Sequence, residues 1–426
     1  MKNQSSSLEL SENTSCAIIG GSSLTTLSSK QEISKHGFYP KTVDEYINNL
    51  VDLALEFGKI KKGQKGSLVV ALAGAVQSEG ERVGLTENFR LVREDHLQRG
   101  MPYFFFKQLV EAELKERGYK EIEVFGYNDA VPAISAILCQ ENTEEVLSNF
   151  ENELNLKGKD SYSIKYMING TGTGEANLNP DTAKIITAEK GHLKPSLLWY
   201  ELNPFFKFMS RFSVIGQNRS IERLIAGGPT HKSPRHFSRL FSTSIELLRK
   251  GNGNEQNELA IILGFENYEE LVRADNPNNL LQSDINSLSE NSPLMKLGSA
   301  VKENNRLALS FSRVFANALG SSFACMHYSI GEMPDSPLNT FIGINDIRHS
   351  ALGFIRSDGS TTALLSSDPE KWQILNNSAE RYASLISNKP NEKLFKILDI
   401  NQTFPNIHPD FGGLPRLAAQ KLLSIS

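Results

Sequence analysis

Cysteine is scarce in this chain. Cys16, Cys139 and Cys325 are the only three, they lie far apart, and no CxxC pair occurs. That excludes a disulfide framework and a cysteine-built zinc site. Long apolar runs are missing as well. No stretch approaches the ~18 residues that a spanning helix needs, so no membrane partner is expected. The first fourteen residues are polar and lack an apolar core, so they do not form a signal peptide and read as a disordered tail. An excess of one charge is also absent: 45 basic residues stand against 49 acidic ones, a net charge of −4. The one dense basic stretch, Lys59 to Lys65, is short and broken by Gly63, so it reads as a solvated loop rather than a nucleic-acid footprint. No internal repeat or heptad is visible. A reduced, soluble, cytoplasmic protein is the expectation.

What is present is an ordinary globular balance spread over 426 residues, enough for two domains. Short apolar runs alternate with helical patterns. Cys16 to Ile19 reads as a buried strand ending in Gly20-Gly21. Val43 to Phe57 has helical spacing, and Ser67 to Ala73 is a buried strand before Gly74. Phe104 to Arg117 reads as a helix. Glu121 to Phe125 is a strand stopping at Gly126, and Ala130 to Leu138 is a helix with Pro132 in its first turn. Ser163 to Asn169 is a strand meeting Gly170 to Gly174, with a return strand from Ala176 to Ile186. The helical pattern resumes at Leu193 and runs to Arg249. Residues 250–300, rich in Asn, Ser, Glu and Gly, read as the least ordered part of the body. Leu307 to Leu319 is a helix, and a last helix follows Gly412-Gly413. Strands alternating with helices predict an α/β class with partly parallel sheets.

Three glycine turns follow three apolar strands, and glycines there let backbone N–H groups approach a phosphate. The GxxxxGK[ST] phosphate loop is absent. Gly170 to Gly174 leads into a strand rather than a helix, which excludes the dinucleotide fingerprint. Eight short motifs stand in order: IIGGSS, ALAGAV, LTENF, YNDA, NGTGTGEA, AEKGH, SIERLIAGGP and IHPDFGGLPRLAA. Together, over about residues 16–424, they resemble the bacterial glucokinases of the actin-like ATPase fold. The CxCGxxGCxE zinc motif of the related repressor-and-kinase group is absent. On that ground the chain is more similar to the glucokinases proper.

The resemblance implies an α/β protein of two actin-like (ribonuclease H-like) domains flanking a cleft. The smaller would hold residues 15–127 with 412–426, and the larger 128–411. It implies a hexose kinase using ATP and Mg²⁺, with glucose or a related hexose as acceptor and a homodimer as a compatible assembly. The implied sugar contacts are Asn128, Asp129, Glu189, His192 and Glu222, with Asp129 as catalytic base. These types suit a ring of hydroxyls, because carboxylates accept two bonds and an amide both donates and accepts. The implied nucleotide contacts are Gly20, Gly21, Ser22, Gly172, Thr173 and Gly174. Two departures stand on that side. The family pattern has an aspartate where this chain has Ile18, and its glycine-rich adenosine loop corresponds either to Gly320–Gly331 or to Gly343-Ile-Asn345 in the strand TFIGIND. Gly126 and Gly412-Gly413 are hinge candidates. A sugar-binding sensor or scaffold of kinase fold, and a transferase with another phosphoryl donor, are the alternative readings.

Overall fold

The computed structural model describes residues 13–19, 23–27, 33–38, 40–58, 60–72, 74, 76–84, 104–156, 161–169, 173–180, 184–187, 190–193, 195–204, 220–221, 225, 253–270, 293–328, 350–357, 364–365, 368–387, 393–405, 413 and 417. They build two five-stranded sheets and a short two-stranded ribbon.

The first sheet comprises β1 (Thr14–Ile19), β2 (Ser23–Leu27), β3 (Ile33–Gly37), β4 (Gly66–Leu72) and β7 (Ile122–Asn128), in the order β3-β2-β1-β4-β7. The ribbon joins β5 (Val76–Gln77) to β6 (Arg82–Val83). β4 is buried along its whole length, as a central strand covered on both faces must be. One face is covered by α1 (Val43–Gly58) and α2 (Phe106–Glu116). α1 buries Val43, Tyr46, Ile47, Leu50, Val51 and Ala54, the three-and-four spacing of an amphipathic helix. On the other face Cys16, Val69, Ala71 and Phe125 pack with Val131 and Leu417.

The second sheet comprises β8 (Tyr162–Asn169), β9 (Thr173–Asn179), β10 (Lys184–Thr187), β11 (Ser350–Ser357) and β12 (Phe395–Asp399), in the order β10-β9-β8-β11-β12. On one face lie α3 (Ala130–Ile137) and α4 (Thr143–Glu153), packed on Tyr162, Ile164, Tyr166 and Leu178. On the other face lie α5 (Leu197–Leu202), α6 (Gly253–Leu263), α7 (Pro293–Lys302), α8 (Arg306–Tyr328) and α9 (Pro369–Ser387) in one core. A short α10 (Ile400–Thr403) follows β12.

The two sheets have the same plan. In each, the first three strands run as an antiparallel meander, and the first strand then pairs in parallel with the fourth, which pairs in parallel with the fifth. The repeat that is invisible in the residues is plain in the topology.

Several expectations are corrected. The chain enters the fold before position 15. The Asn13 side chain donates to Lys65 O (2.6 Å) and accepts from Lys61 N (2.9 Å), and β1 begins at Thr14. The strand expected to stop at Gly126 continues to Asn128, so this hinge candidate lies in mid-strand, pressed against Gly80 and Phe106. Two helices occupy the segment expected to be least ordered. α6 buries Leu259, Ala260 and Leu263, and α7 buries Leu297, Ala300 and Val301, apolar stripes that the surrounding polar residues obscure. α8 runs to Tyr328, so the first candidate for the adenosine loop, from Gly320 onward, is helix through position 328. Gly320 serves packing: an added methyl group would overlap the Leu375 carbonyl of α9. The second candidate, around Gly343 and Asn345, lies outside the described residues. Among the described residues no helix is long and apolar enough to cross a membrane.

Candidate active site

The carboxyl ends of the parallel strands are aligned. Ile19 of β1 stands beside Leu72 of β4, which stands beside Asn128 of β7. With neighbouring strands ~4.8 Å apart, that row spans on the order of 10 Å. In open α/β sheets such carboxyl edges are where ligands bind. Asp129 is the next residue, and its N–H donates to Leu72 O (3.0 Å), which fixes it at the end of both strands.

Asn128 and Asp129 divide the work at this turn. Asn128 is buried. Its Nδ2 donates to Gly74 O (2.7 Å), clasping the loop after β4, and its Oδ1 accepts from Ala130 N (3.0 Å), capping α3. Asp129 sits at the formal cap position yet makes no capping bond with its side chain. Its carboxylate points instead toward the second sheet. A methyl group added to Gly174, in β9, would lie 3.3 Å from Asp129 Oδ1.

The hairpin that carries the GTG run is braced from within. Asn169 closes β8 opposite Thr173 of β9. Thr173 Oγ1 donates to Asn169 Oδ1 (3.0 Å), and Asn169 Nδ2 donates to Ile225 O (3.0 Å). A second connection returns from that region: Ile221 N donates to Leu193 O (2.8 Å), and Leu193 N donates to Lys190 O (3.0 Å). The backbones of Lys190 and Ile221 are thereby linked through Leu193.

Of the expected site residues, the structure therefore unites Asn128, Asp129, Thr173 and Gly174. His192 closes a 3₁₀ turn, Lys190–His192, beside β9. Gly20, Gly21, Ser22, Gly172, Glu189 and Glu222 lie outside the described residues. Ile18 points to the face that carries Tyr127, Val131 and Leu417, where it is partly buried among apolar side chains. It offers no ligand to a cation. Among the described residues, no group of three or more His, Cys, Asp or Glu side chains could hold a metal ion.

Sequence reasoning missed the charged groups beneath the hairpin. Glu175 and Lys165 are wholly buried, with Lys165 Nζ 2.6 Å from Glu175 Oε2 and 5.0 Å from the centre of the Phe323 ring. Lys190 is buried too, and its Nζ donates to Met326 O in α8 (2.8 Å). Burial lowers the Lys190 pKa to about 8; Glu175 opposes that shift and Lys165 adds to it. Burial also lowers Lys165, against the pull of Glu175. The only signal in sequence was period two: Lys165 shares a face with Met167, which is core.

This architecture recurs in solved sugar-kinase structures. A glucokinase from Balamuthia mandrillaris, solved with glucose, has a TM-score of 0.53 at 11% identity, covering 95% of this chain and 93% of its own. A candidate sugar kinase from Cytophaga hutchinsonii has 0.51 at 12%, covering 95% and 98%. The fold is the two-domain actin-like ATPase fold. A ROK-family transcriptional regulator, homologous to the E. coli MLC protein, shares that actin-like architecture equally, with 0.51 at 12%, covering 97% of this chain and 80% of its own. The likeness thus spans kinases and a regulator, and it does not single out the bacterial glucokinases. No family model matches the sequence, and no curated protein is detectably similar to it in sequence.

Proposed function

We propose that the chain is a sugar kinase that transfers the γ-phosphate of ATP to a hexose hydroxyl, the 6-hydroxyl of glucose in the first instance, with Asp129 as the base. The observation that carries this reading is the place of the Asp129 carboxylate. It projects from the carboxyl edge of one sheet to the glycine hairpin of the other.

A sugar hydroxyl is a poor nucleophile. Asp129 accepts its proton as the new oxygen–phosphorus bond forms and the bond from the γ-phosphorus to the bridging oxygen breaks, releasing ADP. Positioning and charge stabilisation supply most of the remaining catalysis in phosphoryl transfer. The backbone around Thr173 and Gly174 is suited to the phosphates, because a hairpin opening on glycines exposes N–H groups. Asn128, Glu189, His192 and Glu222 complete the hexose contacts, and Gly20, Gly21, Ser22 and Gly172 the nucleotide contacts. Magnesium would arrive on the nucleotide phosphates, which with water supply ligands to this ion; Ile18 provides none.

Incubation of the pure protein with Mg-ATP and glucose tests the reading. Sugar 6-phosphate is the expected product, and glucose alone is expected to raise the melting temperature, as a ligand of the native state must. A rise in melting temperature with no product would favour a second reading, a sugar-binding sensor of kinase fold. Ile18 and the likeness to a ROK regulator favour that reading. Absence of both effects across a panel of aldohexoses would remove the sugar pocket.

A further inference from the structure

The buried charges beneath the hairpin serve no purpose in the reaction as written, yet they are expensive. Each buried ion loses several kcal/mol of hydration unless its partners restore it. Glu175 follows Gly174 in β9, but its side chain lies on the opposite face, toward α8. Strand alternation puts Gly174 against Asp129 and Glu175 against the charges. Lys165 reaches Glu175 from β8. Lys190 opens the short turn Lys190–His192, and its ammonium lies within electrostatic reach of both Glu175 and Lys165. The same ammonium is hydrogen-bonded to the Met326 carbonyl. The resembling family pattern has glycine at this place in EGGH, where no side chain could make such a tie.

We propose that Lys190 is a positioning residue: its buried ammonium ties the turn Lys190–His192, which follows Glu189 in sequence, to α8 through the Met326 carbonyl, with Glu175 of the glycine hairpin in electrostatic reach, and so sets the sugar contacts relative to Asp129. This inference rests on the sugar-kinase reading. The arrangement explains why two lysines and one glutamate are retained in a core. Glu175 pairs with Lys165, Lys165 has the Phe323 ring as a second partner, and Lys190 has a carbonyl. Cys325, on α8, is the other titratable group acting on both lysines.

The test measures the dissociation constant of the hexose bound by the wild type, in wild type and in Lys190→Met, well below either melting temperature. Lys190→Met is expected to weaken hexose binding about tenfold and to raise KM more than it lowers kcat. A purely packing role would lower the melting temperature and leave the dissociation constant unchanged, which would overturn the inference alone. Failure of the wild type to bind any hexose would overturn the sugar-kinase reading and this inference with it. Should Lys190→Met not fold, the wild type alone decides the matter through its pH profile. Binding is expected to weaken several-fold as pH rises from 7 to 9.5, past the point where Lys190 loses its proton, and a flat profile would overturn the proposal.

Discussion

Asp129 and Asn128 are neighbours, but Asn128 also holds the turn through its bonds to Gly74 and Ala130, so their substitutions should differ. Asp129→Asn keeps size and polarity but cannot accept a proton. Turnover is expected to fall roughly 10²–10⁴-fold, the usual contribution of a general base, with the hexose dissociation constant changed only a few-fold by calorimetry. Asn128→Ala should damage the fold. It strands the Gly74 carbonyl and removes the cap at Ala130, so urea denaturation should show a loss of about 1–3 kcal/mol for the unmade bonds. Asp129 stands out in the sequence only through the resemblance carried by eight motifs in order, since an Asn-Asp pair after a strand is by itself an ordinary turn. Lys165 and Glu175 do not stand out. A charged residue at an alternating position in a strand reads as exposed unless one knows which helix covers that face, and the cover here is α8, more than a hundred residues downstream.

The same limit applies to whole elements. β4, α1 and α2 were legible because their periods are undisturbed by neighbours of the wrong type. α6 and α7 were not, since Leu259, Ala260 and Leu263, and Leu297, Ala300 and Val301, lie in a stretch rich in Asn, Ser, Glu and Gly. α8 was cut short in the reading because a glycine inside a helical pattern suggests an end. Gly320 instead lets α9 approach, and Gly320→Ala should force the two helices apart. An overpacked site of this kind costs typically 1–3 kcal/mol, and the melting temperature should fall by several degrees. Gly413 has a similar place: an added methyl group would overlap the Pro132 carbonyl in α3. Gly413→Ala is expected to lower the melting temperature and to raise the hexose KM, because α3 starts directly after Asp129.

At the level of the whole molecule, the buried lysines give the protein a pH signature. Lys190 titrates at about 8 when folded, against 10.5 ordinarily. Between those values the unfolded chain holds more protons, so stability rises with pH across this window. Below about pH 8 the charged lysine is a burden in the folded state. Relative to Lys190→Met, the wild type should gain on the order of 3 kcal/mol between pH 7 and pH 10.5, read as a growing difference in urea midpoint. A difference that stays constant would show that Lys190 is not titrating in the core. The general plan of an α/β protein with parallel strands could be read from the order of motifs. Its duplication could not, because two sheets of identical topology need share no residues, only the same alternation of hairpin and crossover.

α3 joins the two sheets. Val131 packs against the first, while Ala133, Ile134 and Ile137 pack against the second. Suppose the halves turn about this helix as about an axle. Displacement then grows with distance from it, so for a rotation of about 10°, a hinge motion of modest size, a rim ~20 Å out sweeps ~3.5 Å. Asp129, at the end of the axle, shifts by only a fraction of that. The base would keep its aim while the walls around it travel.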